Sequence, residues 1–254
     1  MNFKFMQNRT GTKCTKGKNK MENKKTKIAI AILTILIVVL IGMAYFYSKF
    51  NSQQLSLLTE ELNKILQIDL IEENIDFEIK TEKDYAQVED AIKEYLSNLK
   101  NIYVEMQELV SGINPNSIFS SQNVQDKNWE EIDNIIDEYK EKSQNLITEY
   151  EELISEEKIK ENIENIDVLP RKEYYINIYN EIMLSSVMQK QFQELEEEIK
   201  NEKARLYEKL NKLEKIKLFL EENENSWTIE NDKIQFTNII RMTEYYNLVN
   251  QVID

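Results

Sequence analysis

Apolar residues are arranged along this chain in two ways. Ile28 to Tyr47 is an unbroken uncharged run, IAIAILTILIVVLIGMAYFY, whereas the chain after it mixes apolar and charged positions at helical spacing. Twenty helical residues at about 1.5 Å each match the roughly 30 Å hydrocarbon core of a bilayer. The run therefore predicts one membrane-spanning helix over residues 28–47. Tyr45, Phe46 and Tyr47 close it with aromatic rings suited to a membrane interface.

Leu55, Leu58, Leu62 and Ile65 recur at three- and four-residue steps and predict a juxtamembrane helix reaching about Leu70. Ile75, Phe77 and Ile79 alternate with charged neighbours, the pattern of a short extended connector, so residues 48–80 form one juxtamembrane segment. Thr81-Glu82-Lys83-Asp84 then reads as a capping box. Behind it Tyr85, Val88, Ile92, Tyr95, Leu99, Ile102, Met106 and Leu109 mark a long amphipathic helix, ended by Ser111, Gly112, Ile113, Asn114 and Pro115. The segment to Asp126 is expected as a loop, with Ile118 and Phe119 against the bundle.

A second stripe, Ile132, Ile135, Tyr139, Ser143, Leu146, Tyr150 and Leu153, predicts a helix from about Lys127 to Glu156. Two helices of similar length joined by a loop are the halves of an antiparallel hairpin. Ile159, Ile163 and Ile166 allow a short helix before Leu169 and Pro170. From Arg171 to Glu221 the apolar pattern is nearly continuous, long enough for roughly 75 Å of helix. That exceeds its partners, so the helix either overhangs them or bends, and the phase shift at Ser185-Ser186 marks the place for a bend. Trp227-Thr228-Ile229 and Ile234-Gln235-Phe236 flank Glu230 to Lys233 as a small β-hairpin or an ordered loop, and Ile239, Ile240, Tyr245, Leu248, Val249 and Val252 predict a packed last helix. The fold class is all-α: a membrane helix followed by an elongated antiparallel, coiled-coil-like bundle over 81–221, with a hairpin-like element and terminal helix over 222–254.

Charge fixes the expected orientation. Residues 1–27 carry nine Lys or Arg against Glu22 alone, a net +8, so in a chain of net charge −14 the remainder carries −22. A basic flank stays in the cytoplasm, which puts the helical domain on the far side of a cell membrane. The tail reads as disordered, and Met21 resembles a natural start placed just before the membrane run. Gly42-Met43-Ala44 resembles a signal cleavage context, yet signal cores span about 7 to 15 residues, and this longer run predicts a retained signal anchor. Cys14, the single cysteine, follows Gly11-Thr12-Lys13 and lacks a lipoprotein context, and the part after the anchor has no thiol for a disulfide. An acidic domain of this size repels nucleic acid phosphates.

Candidate chemistry is narrow. The absence of histidine removes imidazole catalysis and His-dependent zinc or di-iron sites. One glycine after the anchor, Gly112, excludes a Gly-rich phosphate loop. The carboxylate clusters Glu130-Glu131, Glu151-Glu152, Glu156-Glu157 and Glu196-Glu197-Glu198 have the residue type for glycoside hydrolysis but fall on polar helix faces. Asn223, Glu224, Asn225, Asn231 and Asp232 supply oxygens without EF-hand spacing. No catalytic, cofactor or metal residue is assigned. Trp129, Tyr174-Tyr175, Tyr179, Trp227 and Tyr245-Tyr246 are recognition candidates, with the Trp227 to Phe236 element the foremost.

The anchor, Lys83-Asp84-Tyr85-Ala86-Gln87-Val88-Glu89-Asp90-Ala91-Ile92-Lys93-Glu94-Tyr95-Leu96, the Trp227 to Phe236 element and Tyr245-Tyr246-Asn247 together resemble uncharacterised single-pass membrane proteins of AT-rich Gram-positive bacteria. The resemblance implies an anchored helical domain and supplies no catalytic residue. The expected function is noncatalytic: the bilayer is a partner through residues 28–47, and the domain binds a protein or cell-envelope component. A regulatory or sensory subunit, a secreted helical effector cleaved near Ala44, and a carboxylate-based envelope hydrolase are the alternatives. Oligomeric state is left open by the sequence.

Overall fold

The computed structural model describes residues 16–166 and 171–253. The chain divides into two compact units, residues 1–56 and 57–254. Helix α1 spans Lys16–Ile65, and its residues up to Ser56 belong to the first unit. Residues 16–27 are helical, where the charge pattern predicts a disordered tail. No proline interrupts them, and adding residues to an existing helix is far easier than nucleating one. Residues 1–15 of that tail lie outside the described residues, as do Leu169 and Pro170. Ile32 to Tyr47 expose their large apolar side chains throughout, from 47% at Ile37 to 71% at Phe46, and α1 is long and apolar enough to cross a membrane.

Among its described residues the second unit is all-α apart from one hairpin. Leu58, Leu62 and Ile65 are buried as the spacing predicts, whereas Leu55 is 38% exposed. The helix stops at Ile65, short of Leu70, and passes into turns; residues 74–80 have no regular secondary structure. Helix α2 (Asp84–Gly112) buries Tyr85, Val88, Ile92, Tyr95, Leu99, Ile102 and Met106. The Thr81 to Asp84 capping box does not form at its start. Lys83 is the N-cap, with φ 57° and no capping side chain, because the Thr81 hydroxyl and amide are bonded to Glu89 instead.

Within the expected loop lie two short helices, α3 (Pro115–Ile118) and α4 (Ser121–Gln125), capped by Asn114 and Ser120. Ile118 and Phe119 are buried there. Helix α5 (Trp129–Leu153) buries Ile132, Ile136, Ser143, Leu146, Ile147 and Tyr150; Ile135 and Tyr139 sit half-buried at the edge of that face. Ser155 caps α6 (Glu156–Glu164), whose Ile159 and Ile163 are fully buried. The long C-terminal pattern is broken where its phase shifts: α7 (Lys172–Met183) ends, and Ser185 accepts the Met188 amide at 3.2 Å to start α8 (Ser186–Glu222).

Three long helices make the bundle. Tyr95 of α2 donates to the Leu153 carbonyl of α5, while Gly112 lies beside the Tyr139 hydroxyl, so α2 and α5 are antiparallel. Tyr150 meets Phe192, Lys140 meets Glu214 and Lys217 meets Asp133, so α8 is antiparallel to α5 as well. The arrangement is up, down, up. One apolar cluster joins the end of α1 to α2, α6, α7 and the first part of α8. A second joins the starts of α5 and the later turns of α8 to the hairpin and to α9 (Ile239–Ile253).

Strands β1 (Trp227–Glu230) and β2 (Lys233–Phe236) pair antiparallel with Trp227 opposite Phe236. Asn231 and Asp232 both have positive φ, 51° and 58°, the requirement of a two-residue I′ turn that Asn and Asp meet at least cost. On α9, Tyr245, Val249 and Val252 are buried. Ile239 and Ile240 are not: they are 67% and 62% exposed, against the expectation that both join the packed face. At 100° per residue Ile239 sits about 120° away from Tyr245, off the buried stripe.

Candidate functional site

The strongest polar constellation is interior, and sequence spacing does not reveal it. Glu89 and Lys93 lie one turn apart on α2 with side chains 0% and 2% exposed. The Lys93 ammonium donates to Glu89 Oε1 at 2.7 Å, to the Glu78 carbonyl at 2.8 Å and to Glu61 Oε2 at 3.5 Å. Glu89 also accepts the Lys80 amide at 3.1 Å, the Thr81 amide at 3.0 Å and the Thr81 hydroxyl at 2.8 Å. Burial alone pushes the Glu89 carboxyl up, but the Lys93 ammonium and these donors outweigh it and hold it below the usual carboxylate range. Glu61 takes a second cation, Lys64, at 2.6 Å. The network thus ties three segments together: the end of α1, the 78–81 connector and α2. Its carboxylates are filled by protein donors, which is the arrangement of a clamp and not of an acid–base pair awaiting a substrate.

The carboxylate clusters occupy outer faces. Glu130, Glu131, Glu151, Glu152, Glu156 and Glu157 are exposed or half-buried, as is Glu197, with Glu196 and Glu198 likewise short of the core. The structure brings Glu151 of α5 and Glu196 of α8 to one cation, Lys200, and pairs Glu156 with Lys160. Each is a solvated cross-helix or one-turn pair. Among the described residues no group of three or more Cys, Asp or Glu is placed to hold a metal. Glu224 pairs with Lys127 at 2.7 Å, and Asn223 donates to the Phe219 carbonyl at 2.8 Å, so both are engaged in local structure.

Grooves follow the seams of the bundle. One of about 630 Å³ is lined by Glu105, Glu108, Leu109, Lys142, Asn145 and Leu146 between α2 and α5. Another of about 430 Å³ between α2 and α8 presents Arg205, Lys209 and Lys212 beside Glu202 and Glu208. In the latter, Arg205 is held by Glu202 at 2.8 Å and Lys212 by Glu208 at 2.9 Å, so most of its charge is already matched.

The Trp227 to Phe236 element is a correction. The sequence reading casts it as an exposed aromatic anchor, yet Trp227 is 8% exposed and its indole donates to the Leu220 carbonyl at 2.9 Å. Ile234 is 8% exposed, and the Phe236 ring lies 5.3 Å from that of Tyr245. The hairpin caps the later turns of α8 and α9, so its packing role was hidden by local sequence. Tyr179 is fully buried, with its hydroxyl accepting from Asn162 at 3.0 Å; burial pushes both it and Tyr175 up to about 12. Tyr174 and Tyr175 stack beneath the Arg171 guanidinium at 4.9 and 5.8 Å. Of the aromatic candidates in the second unit, Tyr246 is the exposed one, at 47%.

No protein-family model, curated protein or solved structure matches the chain.

Proposed function

We propose that this protein is a single-pass, membrane-anchored, noncatalytic helical domain that binds a protein or envelope component outside the cytoplasm. The observation that carries the reading is the helix face of Ile32 to Tyr47, whose apolar side chains are exposed on every side. A helix apolar all round is at home in lipid, where its backbone bonds are satisfied internally and its side chains replace water contacts with acyl chains. The +8 flank before it favours retention of the N-terminal side in the cytoplasm. Binding is favoured over catalysis because the buried Glu89 carboxylate is committed to structural donors and, in the surface clusters, Glu151, Glu156 and Glu196 pair with lysines. A regulatory subunit is one form such binding takes.

Alkaline extraction of membranes containing the full chain tests the anchor. The protein should stay with the lipid pellet, and a variant lacking residues 28–47 should be released to the supernatant. Release of the full chain at high pH would reject the integral anchor and turn the reading toward a cleaved or peripheral protein.

A further inference from the structure

The outward side of α9 is unlike the rest of this highly charged surface. Ile239, Tyr246 and Ile253 are 67%, 47% and 55% exposed and recur every seven residues. Seven residues are close to two helical turns, so the three side chains fall within about 40° of one another on one face. Their neighbours on that face are Met242, which is half-buried, and Thr243 and Asn250, which are exposed, all three uncharged. The charged residues of the helix, Arg241 and Glu244, pair with each other at 2.7 Å on another flank. The buried stripe of Tyr245, Val249 and Val252 holds α9 to its own core, so this apolar face is additional to folding.

We infer that this face is the contact between two copies of the chain, packed antiparallel about a two-fold axis at Tyr246. The stripe is its own complement under that operation. Tyr246 lies midway between Ile239 and Ile253, so rotation sets Tyr246 against Tyr246 and each copy's Ile239 against the other's Ile253, the isologous match that a closed dimer requires. Charge points the same way. Two domains of this acidity repel wherever their surfaces are charged, and this strip lets them meet without placing carboxylates opposite one another.

A helix of fifteen residues is about 22 Å long and 10 Å wide, so a strip of this kind covers only several hundred Å² over both copies, below the roughly 1,200 Å² of stable interfaces. The dimer is therefore weak free in solution and is populated when anchoring to a shared bilayer raises the effective concentration. That last point rests on the proposed anchor, whereas the pairing register does not.

The test is cysteine crosslinking of the full chain in proteoliposomes, in a Cys14→Ser background with differently tagged copies. Tyr246→Cys should crosslink to itself on mild oxidation. Ile239→Cys should crosslink to Ile253→Cys but neither to itself, since those positions are about 21 Å apart along the helix. Thr243→Cys with Asn250→Cys reports nearly the same register while leaving every apolar anchor in place, so loss of contact by the other substitutions cannot mask the result. Ile239→Lys should reduce the Thr243–Asn250 crosslink at least tenfold. Crosslinking no greater than that of Val187→Cys, an exposed position on α8, would overturn the proposal. Self-crosslinking at both 239 and 253, which means parallel pairing, would overturn it too. So would quenching of a fluorophore at position 246 by spin-labelled lipid without any crosslink, which would assign the face to the bilayer. Failure of the anchor itself would appear separately, as protein that does not float with the liposomes.

Discussion

Replacing Lys93 with Met should destabilise the helical unit by about 3 to 5 kcal/mol, because it removes the Lys93 ammonium that stands 2.7 Å from the buried Glu89 carboxylate and so breaks a buried ion pair. Met preserves the chain length and the packing of the methylenes, so the loss is electrostatic. Three remaining donors, the Lys80 and Thr81 amides and the Thr81 hydroxyl, soften the cost toward the lower end of the range. Glu61→Gln should cost less, about 1 kcal/mol, since that carboxylate stands 3.5 Å from Lys93 and keeps Lys64 on its outer side. Urea denaturation of the unit from Leu57 onward, followed by circular dichroism, measures both. A folded domain has roughly 5 to 15 kcal/mol in hand, so the Lys93→Met protein should fold with a sharply lower midpoint. The sign of the pH dependence follows from Glu89. Its carboxyl is depressed in the folded state, so the stabilisation is present above the ordinary value of 4.5 and is lost as pH falls through the lower folded value. The wild-type advantage over Glu89→Gln should therefore shrink below about pH 4.5. Equal stability of Lys93→Met and wild type at pH 7, with parallel acid profiles for Glu89→Gln, would refute the clamp.

Two further outcomes are expected in the same assay. Leu99→Ala, at a fully buried position of α2, should cost about 2 to 5 kcal/mol, whereas Glu105→Ala on its exposed face should cost under about 0.5; equal effects would mean α2 does not pack on this stripe. Trp227→Phe should cost about 1 to 3 kcal/mol by leaving the buried Leu220 carbonyl without its donor, and Trp227→Ala about 3 to 5; a fully stable Trp227→Ala protein would return this residue to the role of an exposed anchor.

What could be read from sequence was whatever depends on local period. The α2 stripe, the break at Ser185, the Asn231-Asp232 hairpin and the tucked Ile118-Phe119 all follow from spacing, capping or turn chemistry. What could not be read depends on segments distant in the chain. Glu89 and Lys93 look like a surface pair one turn apart, and they become interior only because the 78–81 connector and Glu61 fold across them. The available signal was angular: Glu89 falls beside Leu96 at the edge of the apolar arc of α2, not opposite it. The same blindness misassigned Thr81 as a cap and Trp227 as an anchor, since neither partner, Glu89 or the Leu220 carbonyl, is marked by periodicity. On α9, exposed apolar residues were hidden among those that pack, because a helix with two apolar faces reads as one broad face.

Topology is the property on which the proposed function stands, and protease accessibility of the full chain in intact protoplasts, compared with inverted vesicles from the same cells, measures it. With the N-terminus in the cytoplasm, the helical domain after Phe50 should be digested from outside in protoplasts while an N-terminal tag is spared, with the reverse in inverted vesicles. Protection of the domain in protoplasts together with digestion of the tag would contradict the proposed placement.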